Sequence, residues 1–478
     1  MCLPLLVSCY NSFMSKRLSE KTFYHYLKCP SWVYFDAHQA EKTHDALLTR
    51  LIDDGLLPEM QRELLADRQF VEVENEDPDD AFLRTLELMK AGEQTILRGV
   101  LIRGHWIGHP DILERVEGNS GLGNYYYIAC DIKRDRHIQD VYKFQGAFYA
   151  ELLGLIQATK PTQGYVMSPE GGVQSYFLDE FESEFKLTLE EIEKILAGVK
   201  PPHFLTSGCK QSPWFETCRG ENVECDDLSI INRVWRSEVE ALNRAGVKSV
   251  GQLAAADADL LASKISTVAR DRLHHLRMQA ISLHEGRTIV MESVPFPPAD
   301  VELYFDVESS PVRDVEFLFG VLVVDHQQEM YHSFVAKKPS EERQAFEGFL
   351  QFMKDYPAAP VYHFGWYEIE VLRRLGEKYD CVPTVEAIIK DQMHDLLIMI
   401  RDAIIFPLHF YSLKDIAKAM GFKWRGAEAS GINAVIWYEE YLANPRRTKK
   451  LQAIIDYNED DCRATYIVKK WVAEKAGE

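Results

Sequence analysis

The stretch VELYFDVESS, residues 301–310, decides how the second half of the chain reads. Apolar residues alternate along it, as a half-buried strand requires. Two-residue spacing puts Asp306 and Glu308 on one face of that strand. Side-by-side carboxylates repel unless a cation joins them, so the pair points to a divalent metal. Near the C-terminus IIDYNEDDCRAT, residues 454–465, supplies Tyr457 and Asp461, four apart on one helix face. A phenol and a carboxylate so placed suit water orientation and metal ligation in two-metal phosphoryl transfer. Asp460 competes with Asp461, and the spacing from Tyr457 favours Asp461. Just upstream, PFPP at 295–298 is a stiff strand-breaker, and a domain spanning 295–478 is expected beyond it.

Working toward the N-terminus, a second acidic constellation emerges. GHPDILERV (108–116) precedes NYYYIACDIKRD (124–135), which is aromatic and β-branched enough to form a strand. Asp131 and Lys133 then share a strand face, with Asp111 upstream. Metal-assisted phosphodiester hydrolysis needs acids to hold the ion and a group to position water. Asp111 and Asp131 fit the first task and Lys133 the second. In KFQGAFYAELLGL, just downstream, Gln145 and Tyr149 are i,i+4 neighbours and reach the same pocket.

In this order Gly108-His-Pro-Asp111, Asp131-Ile-Lys133 and Gln145-Gly-Ala-Phe-Tyr149 resemble the RecB-like branch of the PD-(D/E)XK nucleases, with a domain expected over 18–199. TFYHYLKCPSWVYFDAH looks like that family's opening segment. The resemblance implies one more early carboxylate or His, for which Glu59 and His44 are the candidates. In the other half, Asp306/Glu308 and Tyr457/Asp461 resemble the DEDDy exonucleases of the ribonuclease H-like fold, particularly the YprB-like group. Their middle motif supplies Asp where His363-Phe-Gly-Trp-Tyr-Glu368 supplies the longer Glu368. Asp395 in HDLL, with YSLKDIA after it, reads as scaffold supporting the site. The whole resembles RecB-family nucleases that carry both domains in tandem.

Cysteines add a third pattern. RecB-like relatives often hold an iron–sulfur cluster with one early Cys and a late CxxCxxxxxC. Here Cys29 is early, Cys209 and Cys218 keep the late spacing, and Ser212 stands at the middle position. Cys225 is a substitute thiolate a short loop away. Two readings stay open, a retained cluster and a lost one whose gap is closed by packing. Between 200 and 294 a connector is expected, and EALNRAGVKSVGQLAAAD (240–257) within it reads helix, turn, helix. Gly246 permits the turn, and Leu242, Val247, Val250 and Leu253 close a small core. This resembles a helix-hairpin-helix, in which turn amides bind phosphate, so Gly246 and Lys248 are candidate nucleic-acid contacts. A purely structural linker reads equally well.

Bulk properties fit these expectations. At 478 residues the chain suits two to four domains, and a 46% hydrophobic share allows sizeable cores. The fold class expected is α/β. A net charge of −20 argues against avid coating of nucleic acid but leaves room for local basic patches, such as Lys264–Arg277 and Arg446–Lys450. Nine cysteines, odd in number and scattered, make no disulfide framework and suggest a reducing cytoplasm. No apolar run reaches membrane-spanning length. The segment 1–17 lacks the basic start of a secretory signal and reads as disordered or as preceding a true start at Met14. The expectation is a nuclease using Mg²⁺ or Mn²⁺ on DNA, less so RNA, with 3′→5′ exonuclease action in the C-terminal domain and an open question of a helicase or repair-complex partner. The rival is a nucleic-acid-binding scaffold whose sites have decayed, kept alive by Ser212 and Glu368.

Overall fold

The structure is a computed structural model that describes residues 17–38, 65, 68–74, 77–133, 138–168, 172–202, 204–311, 313–326, 328–426 and 430–476. The readings placed on Glu59, His44 and residues 1–16 lie outside these. Among the described residues, those up to Glu221 form one compact unit and those from Asn222 onward another. No described helix is long and apolar enough to cross a membrane.

The N-terminal unit is built on a six-stranded mixed sheet. Its order is Val71–Glu72, Thr95–Leu97, Ile112–Ser120, Gly123–Ile132, Gln163–Ser168, Gly172–Phe177. Ile112–Ser120 and Gly123–Ile132 form an antiparallel hairpin, and Gly123–Ile132 runs parallel to Gln163–Ser168. A parallel pair needs a long crossover, and the helix Asp140–Gln157 supplies it. The helix packs its apolar side, including Phe144, Phe148, Leu152 and Leu153, into a core shared with Phe23 and Phe185. The Phe23 ring lies 6.0, 5.4 and 5.5 Å from those of Phe144, Phe148 and Phe185. These contacts dock the early helix Glu20–Lys28 against the crossover helix, which brings Glu20 near the strand ends.

The C-terminal unit centres on a five-stranded sheet in the order Gln328–Val335, Val315–Asp325, Val301–Ser310, Val361–His363, Met393–Asp395. The first three strands are antiparallel, and the last two join in parallel. Val301–Ser310 is central and buried on both faces. Leu303, Phe305 and Val307 face the larger apolar core. Tyr304 faces the opposite side with Leu322, Tyr362 and Cys462. Strand alternation places Asp306 and Glu308 on that second side. The 29-residue helix Thr448–Ala476 covers it. A register shift between Glu308 and Ser309 interrupts the pairing directly after the acids, before it resumes as Ser309 against Glu316, the kind of irregularity that re-aims side chains beside sites.

The segment from Asn222 to Val294 belongs to this second unit. Its Ile289–Val290 pairs antiparallel with Ile404–Ile405, and Val294 N donates to Ala476 O at 2.6 Å.

Candidate active site

Asp306, Glu308 and Asp461 each offer a carboxylate oxygen, and the three atoms lie within 4.8 Å of one another. They form the one such acid, His or Cys trio among the described residues. Glu308 and Asp461 are only 6% and 7% exposed. Burial, then the charges of Glu308 and Asp461, push Asp306 well above the usual carboxylate range. Burial and the charge of Asp461 push Glu308 up to about 8. Burial takes Asp461 to about 6, against the pull of Lys414 and a hydrogen bond from Trp424. Two buried acids and a half-buried third that resist ionising together are a site in want of positive charge.

Neighbouring side chains hold the trio in place. Asn458, fully buried, donates from Nδ2 to Asp306 Oδ2 at 2.6 Å and to Glu308 Oε1 at 3.4 Å. Its Oδ1 accepts from Tyr331 OH at 2.7 Å. Gly320, paired opposite Asp306, makes this possible: a Cβ there would lie 1.7 Å from Asn458 Oδ1. Trp424 Nε1 donates to Asp461 Oδ1 at 2.6 Å. Tyr457 hydrogen-bonds Asp461, and burial with that nearby charge keeps its phenol far above its ordinary range. Lys414 Nζ lies 4.6 Å from the centre of the Tyr457 ring. Burial draws the Lys414 ammonium below its ordinary range, although Asp461 and Glu308 pull the other way.

Asp460 points elsewhere, into a salt bridge with Arg425 at 2.8 Å that the Arg425 backbone N–H reinforces. Glu368 sits outside the tight trio, in the first turn of the helix Tyr367–Lys378, close enough for its charge to raise Asp306. His363 Nδ1 stands 3.5 Å from Glu368 Oε2, and among the described residues neither atom has a hydrogen-bond partner. Asp395 Oδ1 accepts from the backbone of Gly365, Leu397 and Ile398, which ties the loop leading to Glu368 onto the sheet.

The N-terminal unit gathers its own acids. Lys133 Nζ pairs with Asp131 Oδ2 at 3.0 Å, and Asp111 Oδ2 accepts from Ile132 N at 2.7 Å. Burial lowers Lys133, and the charges of Asp131, Asp111 and Glu20 outweigh it, so its ammonium is held above its ordinary range. Tyr149 hydrogen-bonds Asp131, and burial with the surrounding acids raises its phenol. Gln145 is buried, and among the described residues its Oε1 lacks a hydrogen-bond partner. Gly108 lets the crossover helix close in, since a Cβ would meet Leu152 at 2.8 Å and Tyr149 at 3.1 Å.

Glu20 is a further acid near Lys133 and Tyr149 that sequence reasoning did not name. It is 5% exposed and accepts from His109 N and Nδ1, both at 3.3 Å. Burial works to raise it, but His109 more than compensates and holds it below its ordinary range. Its place in the first turn of the first helix was the available signal.

Cys29, Cys209 and Cys218 are all buried and converge. Cys209 and Cys218 both hydrogen-bond Cys29; the bond with Cys209 lowers the Cys29 thiol, and Cys218 and burial outweigh it. Ser212 is buried beside them, its N–H donating to Cys209 O at 2.9 Å and its Oγ accepting from Trp214 N at 3.1 Å. Cys225 is exposed and belongs to the other unit. Three thiols and an engaged hydroxyl fall one thiolate short of the usual four-thiolate cluster site.

In the helix-turn-helix, Leu242, Val247, Val250 and Leu253 are buried, and Gly246 takes φ +90°. The turn amides are used internally: Gly246 N reaches Asn243 O, Val247 N reaches Leu242 O, and Lys248 N reaches Gln252 Oε1.

A comparison of the chain with curated proteins gives no match. Residues 303–473 match the family model of the RNase H superfamily, so the domain that carries Asp306, Glu308 and Asp461 is ribonuclease H-like.

Proposed function

We propose that this chain is a metal-dependent nuclease whose C-terminal centre cleaves phosphodiester bonds of nucleic acid, DNA favoured, as a 3′→5′ exonuclease. The observation that carries the reading is the meeting of Asp306, Glu308 and Asp461 within 4.8 Å inside the ribonuclease H-like domain. An all-oxygen, mutually repelling donor set fits a hard cation such as Mg²⁺ or Mn²⁺. Such an ion, when bound by Asp306, Glu308 and Asp461, polarises the phosphate and acidifies a water. Asn458 and Trp424 keep the acids from swinging away. Tyr457, kept protonated, offers an O–H donor beside the trio and orients the attacking water without deprotonating it. Lys414 brings positive charge toward the phosphate oxygens as charge builds there. Glu368 serves as the fourth acid, reaching from the helix N-terminus.

The same reading makes the N-terminal unit a PD-(D/E)XK-type nuclease domain. Asp111 and Asp131 hold metal with Glu20 as a nearby supporting acid, Lys133 positions water, and Gln145 and Tyr149 complete the pocket. Its support is the ion pair of Lys133 with Asp131 and the electrostatic reach of Glu20 and Asp111 to Lys133 and Tyr149.

The test is degradation of 5′-labelled single-stranded DNA with Mg²⁺ or Mn²⁺. Asp306→Ala should remove the exonucleolytic ladder and Lys133→Ala any separate cleavage. Full activity in the double variant would refute both assignments.

A further inference from the structure

Away from both acid sites, an indole and several guanidinium groups meet on the C-terminal unit. Trp235, at the start of the helix Arg236–Arg244, is 65% exposed. It borders two cavities, of about 360 and about 290 Å³, and Arg272 also lines both. Arg244 lines the larger cavity and Arg233 the smaller. Among the described residues, neither Arg233 nor Arg244 has an ion-pair partner, whereas Arg272 is clamped by Glu238 at 2.8 Å.

The arrangement is built rather than incidental. Glu238, 7% exposed, accepts from Trp235 N at 2.8 Å and from the Arg272 guanidinium at 2.8 and 3.0 Å. One buried carboxylate thus fixes the Trp235 backbone and the cation beside it. Arg272 also donates to Arg233 O at 2.7 Å. Arg233 adopts φ +57°, a left-handed conformation that costs energy for a side-chain-bearing residue and persists where surrounding contacts impose it. A wide exposed ring beside unpaired arginines suits base stacking and phosphate pairing together. In a chain of net charge −20 such a cationic spot is a local exception.

We infer that the Trp235 face is a holding platform for single-stranded nucleic acid. One base stacks on the indole, Arg233 and Arg244 pair with flanking phosphates, and Arg272, fixed by Glu238, forms the wall between the cavities. The choice of ligand rests on the nuclease reading; the platform itself rests on Trp235 and its arginines.

Fluorescence anisotropy with labelled oligothymidine tests it, using the full chain in EDTA to prevent cleavage. Trp235→Ala should weaken binding by about tenfold or more, while Trp235→Phe stays within about threefold. Arg233→Ala combined with Arg244→Ala should flatten the plot of log affinity against log salt by about 1.4, or about 0.7 for each phosphate left unpaired. Circular dichroism should show the variants folded. Unchanged affinity in Trp235→Ala would overturn the platform, as would equal competition by polyglutamate, which has charge but no base. The part of the hydrolysis of the small diester thymidine 5′-p-nitrophenyl phosphate that Asp306→Ala removes reports the Asp306 centre separately and should be unaffected by Trp235→Ala. If the intact protein fails to hydrolyse it, the nuclease reading fails while anisotropy still decides the platform.

Discussion

Without a cation, the acid trio should make the protein less stable as pH rises. Glu308 moves from 4.5 to about 8 in the folded chain. A folded-state value above the unfolded one means the native state binds the proton more tightly. The stability it contributes is whole below about pH 4.5 and is lost as pH climbs through about 8. At about 1.4 kcal/mol per unit, the loss is on the order of 5 kcal/mol. For a unit of this size that corresponds to roughly 10 °C or more in Tm. The perturbation is Glu308→Gln, which cannot ionise, and the assay is thermal unfolding by circular dichroism in EDTA from pH 5 to 9. The intact protein should lose Tm steadily across this range and the variant much less, so that the variant is the more stable above pH 8. Mg²⁺ at pH 8.5 should restore most of the loss to the intact protein and little to the variant. A flat metal-free profile for the intact protein, or a variant less stable at pH 8.5 in EDTA, would refute the reasoning.

Three further outcomes follow from the same geometry. Tyr457→Phe removes the O–H donor but keeps the ring against Lys414, so single-strand hydrolysis should drop about a hundredfold with Tm unchanged. Gly320→Ala pushes a methyl into Asn458 and Tyr331, and urea unfolding should show a loss of about 1–3 kcal/mol together with lost hydrolysis. In an Asp306→Ala background, Glu20→Gln should abolish residual cleavage from the N-terminal unit while the fold survives; residual cleavage at the background rate would remove Glu20 from that site.

Much of the C-terminal centre was legible because its spacing is local. Asp306 and Glu308 share a strand face and Tyr457 and Asp461 a helix face whatever surrounds them. Their supports were not legible. Asn458 follows Tyr457 directly, yet its importance depends on Gly320 and Tyr331, far away in sequence and brought opposite only by the sheet register. Lys414 lies within YSLKDIA, which reads as scaffold with nothing to mark the lysine itself, and Trp424 arrives from a segment with no motif of its own. The rivalry of Asp460 with Asp461 turned on Arg425, whose salt bridge spans 35 residues. In the other half, the Phe23 ring stack docks the helix that carries Glu20, and apolar packing of that kind leaves no signature beside the acid itself. The five- and six-stranded sheets likewise depend on pairings between distant short strands, such as Val361–His363 against Met393–Asp395, that periodicity alone does not assign.

The most direct test of the central claim is the anomalous-difference density of a crystal soaked in Mn²⁺. The account predicts a strong peak bounded by Asp306, Glu308 and Asp461, absent from an Asp306→Ala crystal. Crystals saturated with Mn²⁺ that show no peak there, or show it undiminished in the variant, would contradict it.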